Sequence, residues 1–116
     1  MMSEILKARQ DGQDMILSLQ RRKRLDILIA DKVKKAILRS ARKHHRNIVL
    51  DLQNIDFIDS AAVAMLMEVN ERLSASNLQF FITGVSKEAM ELIQLVPALK
   101  SLIKFQADDP GPVLAA

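Results

Sequence analysis

The sequence predicts an α/β domain: one mixed central β-sheet, an N-terminal hairpin, and three to four packed α-helices. Three observations lead there. Short β-branched apolar runs alternate with amphipathic stretches long enough to be helices. Strands separated by helices usually lie parallel, joined by crossovers. The opening residues hold a turn between two alternating segments, which adds an antiparallel pair and makes the sheet mixed.

The elements follow in order. Glu4 to Arg9 alternates weakly, Asp11-Gly12-Gln13-Asp14 supplies turn residues, and Met15 to Gln20 forms the hairpin's second strand. Asp26 can cap a helix whose apolar positions Ile29, Val33, Ile37 and Ala41 recur every four residues. Lys32, Lys35, Arg39 and Arg42 form its wet face. Asn47 to Leu52 is short, β-branched and apolar, the pattern of a strand in the middle of a sheet. A second helix is expected from Ser60 to about Ala75, burying Val63, Leu66, Val69 and Leu73, followed by a turn at Ser76-Asn77 and a strand from Leu78 to Thr83. Gly84 closes that strand. Ser86, Glu88 and the apolar set Ala89, Leu92, Ile93 and Val96 predict a third helix, halted by Pro97, with a short strand near Leu102 to Phe105. At 116 residues there is room for one domain, placed at 1–107, and the breaker-rich residues 108–116 read as a flexible C-terminal tail.

Composition removes several classes of function. With no cysteine, disulfides, thiolate catalysis and cysteine-ligated zinc are excluded. No stretch approaches the roughly 18 apolar residues of a membrane span, and Glu4, Lys7 and Arg9 stand where a signal-peptide core would lie, so the expected location is the cytoplasm without membrane insertion. The net charge of +3 conceals an asymmetry, because basic residues outnumber acids before Leu50 and the reverse holds after it. Such a surface steers acidic partners. Nucleic acid is disfavoured, since there is no Trp or Tyr for base stacking. The adjacent His44 and His45 point apart and suit a polar loop better than a metal site. No cofactor-binding motif is present, and without a Gly-rich phosphate loop, a histidine-centred triad or metal-ligand spacing, an enzyme is not expected.

The informative stretch is Ile48 to Leu66, IVLDLQNIDFIDSAAVAML: an apolar strand ends at Asp51, and a short loop through Asp56, Phe57, Ile58 and Asp59 leads into a helix that begins with small residues. This resembles the STAS domain signature of anti-sigma factor antagonists, in which a strand ending Leu-Asp-Leu runs through a loop ending Asp-Ser into such a helix. The likeness extends to the leading hairpin, to Leu25-Asp26 before the first helix and to the later strand and helix.

By that resemblance Ser60 is the phosphorylation site, and Arg24, Asp26, Asp59, Ser60, Ala61, Ala62, Val63 and Gly84 mark the partner-binding surface. The implied partners are an anti-sigma factor that is also a GHKL-type serine kinase and a serine phosphatase that resets the switch. The resemblance equally admits an accessory or scaffold subunit of a lipid-transporting ABC system or a sensory complex, in which the serine is a contact. Two departures stand out. Ala61, Ala62 and Ala64 replace the Ser, Thr and Gly frequent in the family, and Lys23-Arg24-Leu25-Asp26 replaces Gly-Glu-Leu-Asp. The run Arg21 to Arg24 is expected to make a positive rim beside Ser60. Apart from the resemblance, Asp59-Ser60 also fits an ordinary helix cap.

Overall fold

The computed structural model describes residues 5–103. Strand β1 (Leu6–Asp11) pairs antiparallel with β2 (Asp14–Leu19) in the register Leu6↔Leu19 to Asp11↔Asp14. Gly12 turns this hairpin with φ at +61°, a conformation costly for any side chain that carries a Cβ. Strand β3 (Arg24–Leu25) leads into helix α1 (Ile27–His44), and β4 (Asn47–Asp51) follows. Strand β5 (Phe57–Ile58) leads into α2 (Ser60–Ala75), which precedes β6 (Phe80–Thr83), α3 (Lys87–Ile93) and α4 (Pro97–Lys100). The main sheet runs β1-β2-β4-β6. Beyond the hairpin its pairs are parallel, Asp14↔Asn47 to Ser18↔Asp51 and Ile48↔Phe80 to Asp51↔Thr83, so the sheet is mixed as the sequence predicts.

Alternate strand residues join the main core cluster. Leu17, Leu50 and Ile82 are fully buried in register on one face, with Ile48 and Phe80 beside them. The stripe Ile29, Val33, Ile37 and Ala41 of α1 and the stripe Val63, Leu66, Val69 and Leu73 of α2 pack into the same cluster. Lys32, Lys35, Arg39 and Arg42 lie in solvent. On that wet face Asp31 is held below the usual carboxylate range, chiefly by its hydrogen bond from Lys35.

One expectation is corrected. Helix α3 does not run on to Pro97: it ends at Ile93, and Pro97 opens α4, where its missing N–H costs nothing. Of the short strand expected near Leu102 to Phe105, the described residues hold one parallel bridge, Ile82↔Ile103, with the Ile82 N–H donating to the Leu102 carbonyl (2.9 Å). Lys104, Phe105 and the tail 108–116 lie outside the described residues.

Gly84 is required by close approach as well as by its φ of +68°, because a Cβ there would stand 2.6 Å from Asp51 Oδ1 and 2.9 Å from the Gln53 nitrogen. Gly12 has the same backbone conformation and open space around it. Gly84→Ala is therefore expected to cost roughly 2 to 4 kcal/mol and Gly12→Ala about 1 kcal/mol, from left-handed strain with and without a clash. Urea unfolding checks the comparison, and equal losses would mean that the packing around Gly84 yields freely.

Candidate functional site at two helix starts

The site arises from a pairing between residues 33 positions apart in sequence. Strands β3 and β5 form a small parallel pair in the register Arg24↔Phe57 and Leu25↔Ile58. The Lys23 carbonyl accepts from the N–H groups of Asp56 (2.8 Å) and Phe57 (3.3 Å). Leu25 and Ile58 point into the core. The residue after each is an aspartate at a helix N-cap, so Asp26 and Asp59 occupy equivalent positions and α1 and α2 start side by side.

Their carboxylates satisfy amides that no helix can satisfy from within. Asp26 Oδ1 accepts the Leu28 N–H (3.1 Å), and its Oδ2 accepts from Arg24 Nε (3.3 Å). Asp59 Oδ1 accepts the Ala62 N–H (2.9 Å) of its own helix, while Oδ2 accepts the Ile27 N–H (3.0 Å) of the neighbouring one. One carboxylate thus caps two helices. Asp51 is similarly occupied, its Oδ1 accepting the Gln53 N–H (2.9 Å).

Ser60 is the first residue of α2 and is exposed. Ala61 is half-buried, whereas Ala62 and Val63 are buried and shape the helix start from beneath. The Arg24 guanidinium carbon stands 4.1 Å from the Phe57 ring centroid, stacked over an aromatic face while bonded to Asp26. Arg21, Arg22 and Lys23 are exposed on the segment entering β3. Gly84, half-buried at the end of β6, is packed on Asp51 and Gln53. His45 lies at the far end of α1, closing it in a left-handed conformation (φ 51°). Among the described residues no group of three or more His, Asp or Glu stands where it could hold a metal ion, and no helix is long and apolar enough to cross a membrane.

The sequence reading missed an apolar patch. Ile27 and Leu28 are 71% and 81% exposed and Phe57 is 41% exposed, all within two short segments that bracket the helix starts. The signal was present: Ile27 and Leu28 fall off the four-residue stripe that begins at Ile29, and Phe57 alternates with the buried Ile58.

The STAS domain profile matches residues 6–108, most of the chain. The chain belongs to the STAS domain family. An anti-sigma-factor antagonist (STAS) domain protein from Planctomyces limnophilus superposes with a TM-score of 0.74 at 17% identity, covering 95% of each chain. The anti-sigma factor antagonist SpoIIAA in its unphosphorylated form gives a TM-score of 0.73 at 12% identity, covering 95% of each chain. The phosphorylated form of SpoIIAA, a Bacillus cell fate determinant, gives 0.67 at 12% identity, covering 96% of this chain and 99% of that one. At these identities the likeness is one of fold. No curated protein matches the sequence.

Because Asp59 serves two helices in this STAS domain, Asp59→Ala is expected to cost roughly 2 kcal/mol against about 1 for Asp26→Ala. Ser60→Ala, at an exposed position, should stay within about 0.5 kcal/mol of wild type. Chemical denaturation measures all three, and an Asp59→Ala loss no larger than that of Asp26→Ala would contradict the double role.

Proposed function

We propose that this STAS domain is an anti-sigma-factor-antagonist-like partner switch, binding an anti-sigma factor with serine kinase activity while Ser60 is free and leaving it once Ser60 is phosphorylated. The observation that carries the reading is the exposed Ser60 hydroxyl at the first residue of α2, set beside the apolar patch of Ile27, Leu28 and Phe57. A docking partner covering that patch must also cover the hydroxyl.

Phosphorylation transfers the γ-phosphoryl of ATP to Ser60 Oγ, with ADP leaving and the hydroxyl proton passing to a base on the kinase. The chain supplies the acceptor and the partner supplies the chemistry. A phosphoserine brings close to two negative charges and a tightly held hydration shell onto a surface that has to be dry when bound. The fold tolerates it because helix starts favour anions. A loss of about 2 to 4 kcal/mol of binding weakens a complex by roughly 30- to 1000-fold, enough for a switch. A phosphatase removing the group restores the bound form.

Arg24 stacks on Phe57 at the patch, and Arg21, Arg22 and Lys23 are exposed on the segment leading to it; in this reading the four form a positive rim, and the partner's complementary surface is apolar at its centre and acidic at its edge. Arg24 is partly engaged by Asp26, which leaves the preceding three residues to steer the encounter.

Affinity capture with wild type, Ser60→Ala and Ser60→Asp baits tests the switch: the Ala form should retain a kinase-like partner, the Asp form should lose it, and the wild type should gain one phosphate with ATP. Copurification with a transport ATPase, with all three baits alike and unmodified, would replace this reading with the accessory-subunit one. Reversing Arg22 and Lys23 to Glu should slow association about 10-fold or more at low salt and much less at high salt. Stopped-flow mixing at two ionic strengths reads that, and an unchanged rate would remove the rim from the mechanism.

A further inference from the structure

We propose that Asp59 relays the state of Ser60 to the first turn of α1, so that one modification alters the docking surface at two places. The inference rests on the partner-switch reading above and adds how the switch is transmitted.

The hydrogen bonds at the start of α1 are unequal. The N–H groups of Ile29 and Ala30 donate to the Asp26 carbonyl (3.0 and 2.8 Å), and that of Leu28 donates to Asp26 Oδ1 (3.1 Å). All three are held from within their own segment. The Ile27 N–H alone is held from elsewhere, by Asp59 Oδ2 at 3.0 Å. The same carboxylate is fixed on its other oxygen by the Ala62 N–H, and Ser60 is the next residue in the chain. Asp59 therefore sits between the hydroxyl that changes and the turn that carries Ile27 and Leu28 into solvent.

A phosphate on Ser60 acts on Asp59 in two ways. It places nearly two negative charges beside a carboxylate, and its oxygens compete for the same backbone donors at the start of α2. Both push the Asp59 carboxylate away from its two amides. The Ile27 N–H then loses its partner while Leu28, Ile29 and Ala30 keep theirs, so α1 stays folded and only its exposed leading residue is released. The exposed apolar side chain of Ile27 loses its fixed direction at the moment Ser60 gains charge.

The test is amide hydrogen exchange by NMR on the whole chain, comparing wild type, Ser60→Ala, Asp59→Ala and protein carrying phosphoserine at position 60 introduced during translation. Loss of one ordinary hydrogen bond should speed Ile27 exchange roughly 3- to 10-fold in the phosphoserine protein and in Asp59→Ala, with Leu28 nearly unchanged and Ser60→Ala matching wild type. Wild-type exchange at Ile27 in the phosphoserine protein overturns the relay. So does an Asp59→Ala protein in which Ile27 stays protected. Should Asp59→Ala fail to fold, the phosphoserine protein, which keeps Asp59, decides by itself. Because the phosphate is installed without a kinase, the measurement separates the two proposals: a chain that no partner phosphorylates fails the proposed function and leaves this result standing.

Discussion

Two helices that begin side by side impose the constraint from which the rest of this surface follows. Each start exposes amides with no intrahelical acceptor, and both dipoles present partial positive charge to the same patch. Apolar contacts cannot satisfy such groups, so acceptors must be supplied at the helix starts. The parallel register of Leu25 with Ile58 brings the following residues, Asp26 and Asp59, to matching positions, and their carboxylates supply them. The cross-helix bond from the Ile27 N–H to Asp59 makes the two caps one unit.

The same arrangement separates the residues the fold needs from those that face outward. Leu25, Ile58, Ala62 and Val63 are buried and hold the helices on the sheet. Ile27, Leu28, Phe57 and Ser60 stand outward and contribute little to the core. Charge added at Ser60 therefore acts on a surface whose scaffold does not depend on it. Arg24 occupies the boundary, its guanidinium balanced between the Phe57 face and the Asp26 carboxylate, which holds a cation at the edge of the apolar patch without burying it.

The long elements were legible in the sequence because their burial repeats with the period of the element. The α1 and α2 stripes and the apolar runs of β2, β4 and β6 are written into positions that the structure buries. The caps were legible in part: Asp26 and Asp59 are cap-forming residue types, but the second acceptor role of Asp59 depends on a residue 32 positions away. Strands β3 and β5, of two residues each, are too short for any period to appear, and their pairing is non-local. The end of α3 was misplaced because a proline can terminate one helix or start another, and Pro97 starts α4. Gly84 was visible as a strand end, yet the reason for glycine is the position of Asp51 and Gln53, which no local pattern records.

The alanines after Ser60 can now be given a physical role. A hydrogen bond of 3.0 Å from the cap of one helix to the first amide of the other requires the two starts to approach closely. Ala62 in α2 and Ala30 in α1 are both buried near that approach and keep side-chain volume small there. Glycine would meet the same spatial demand, but alanine favours the helix by roughly 0.8 to 1 kcal/mol per position. With Ala61, Ala62 and Ala64 in its first turns, α2 resists local melting when charge is added at its first residue. In the proposed switch the response then travels by a route other than unwinding α2, through the carboxylate shared with α1.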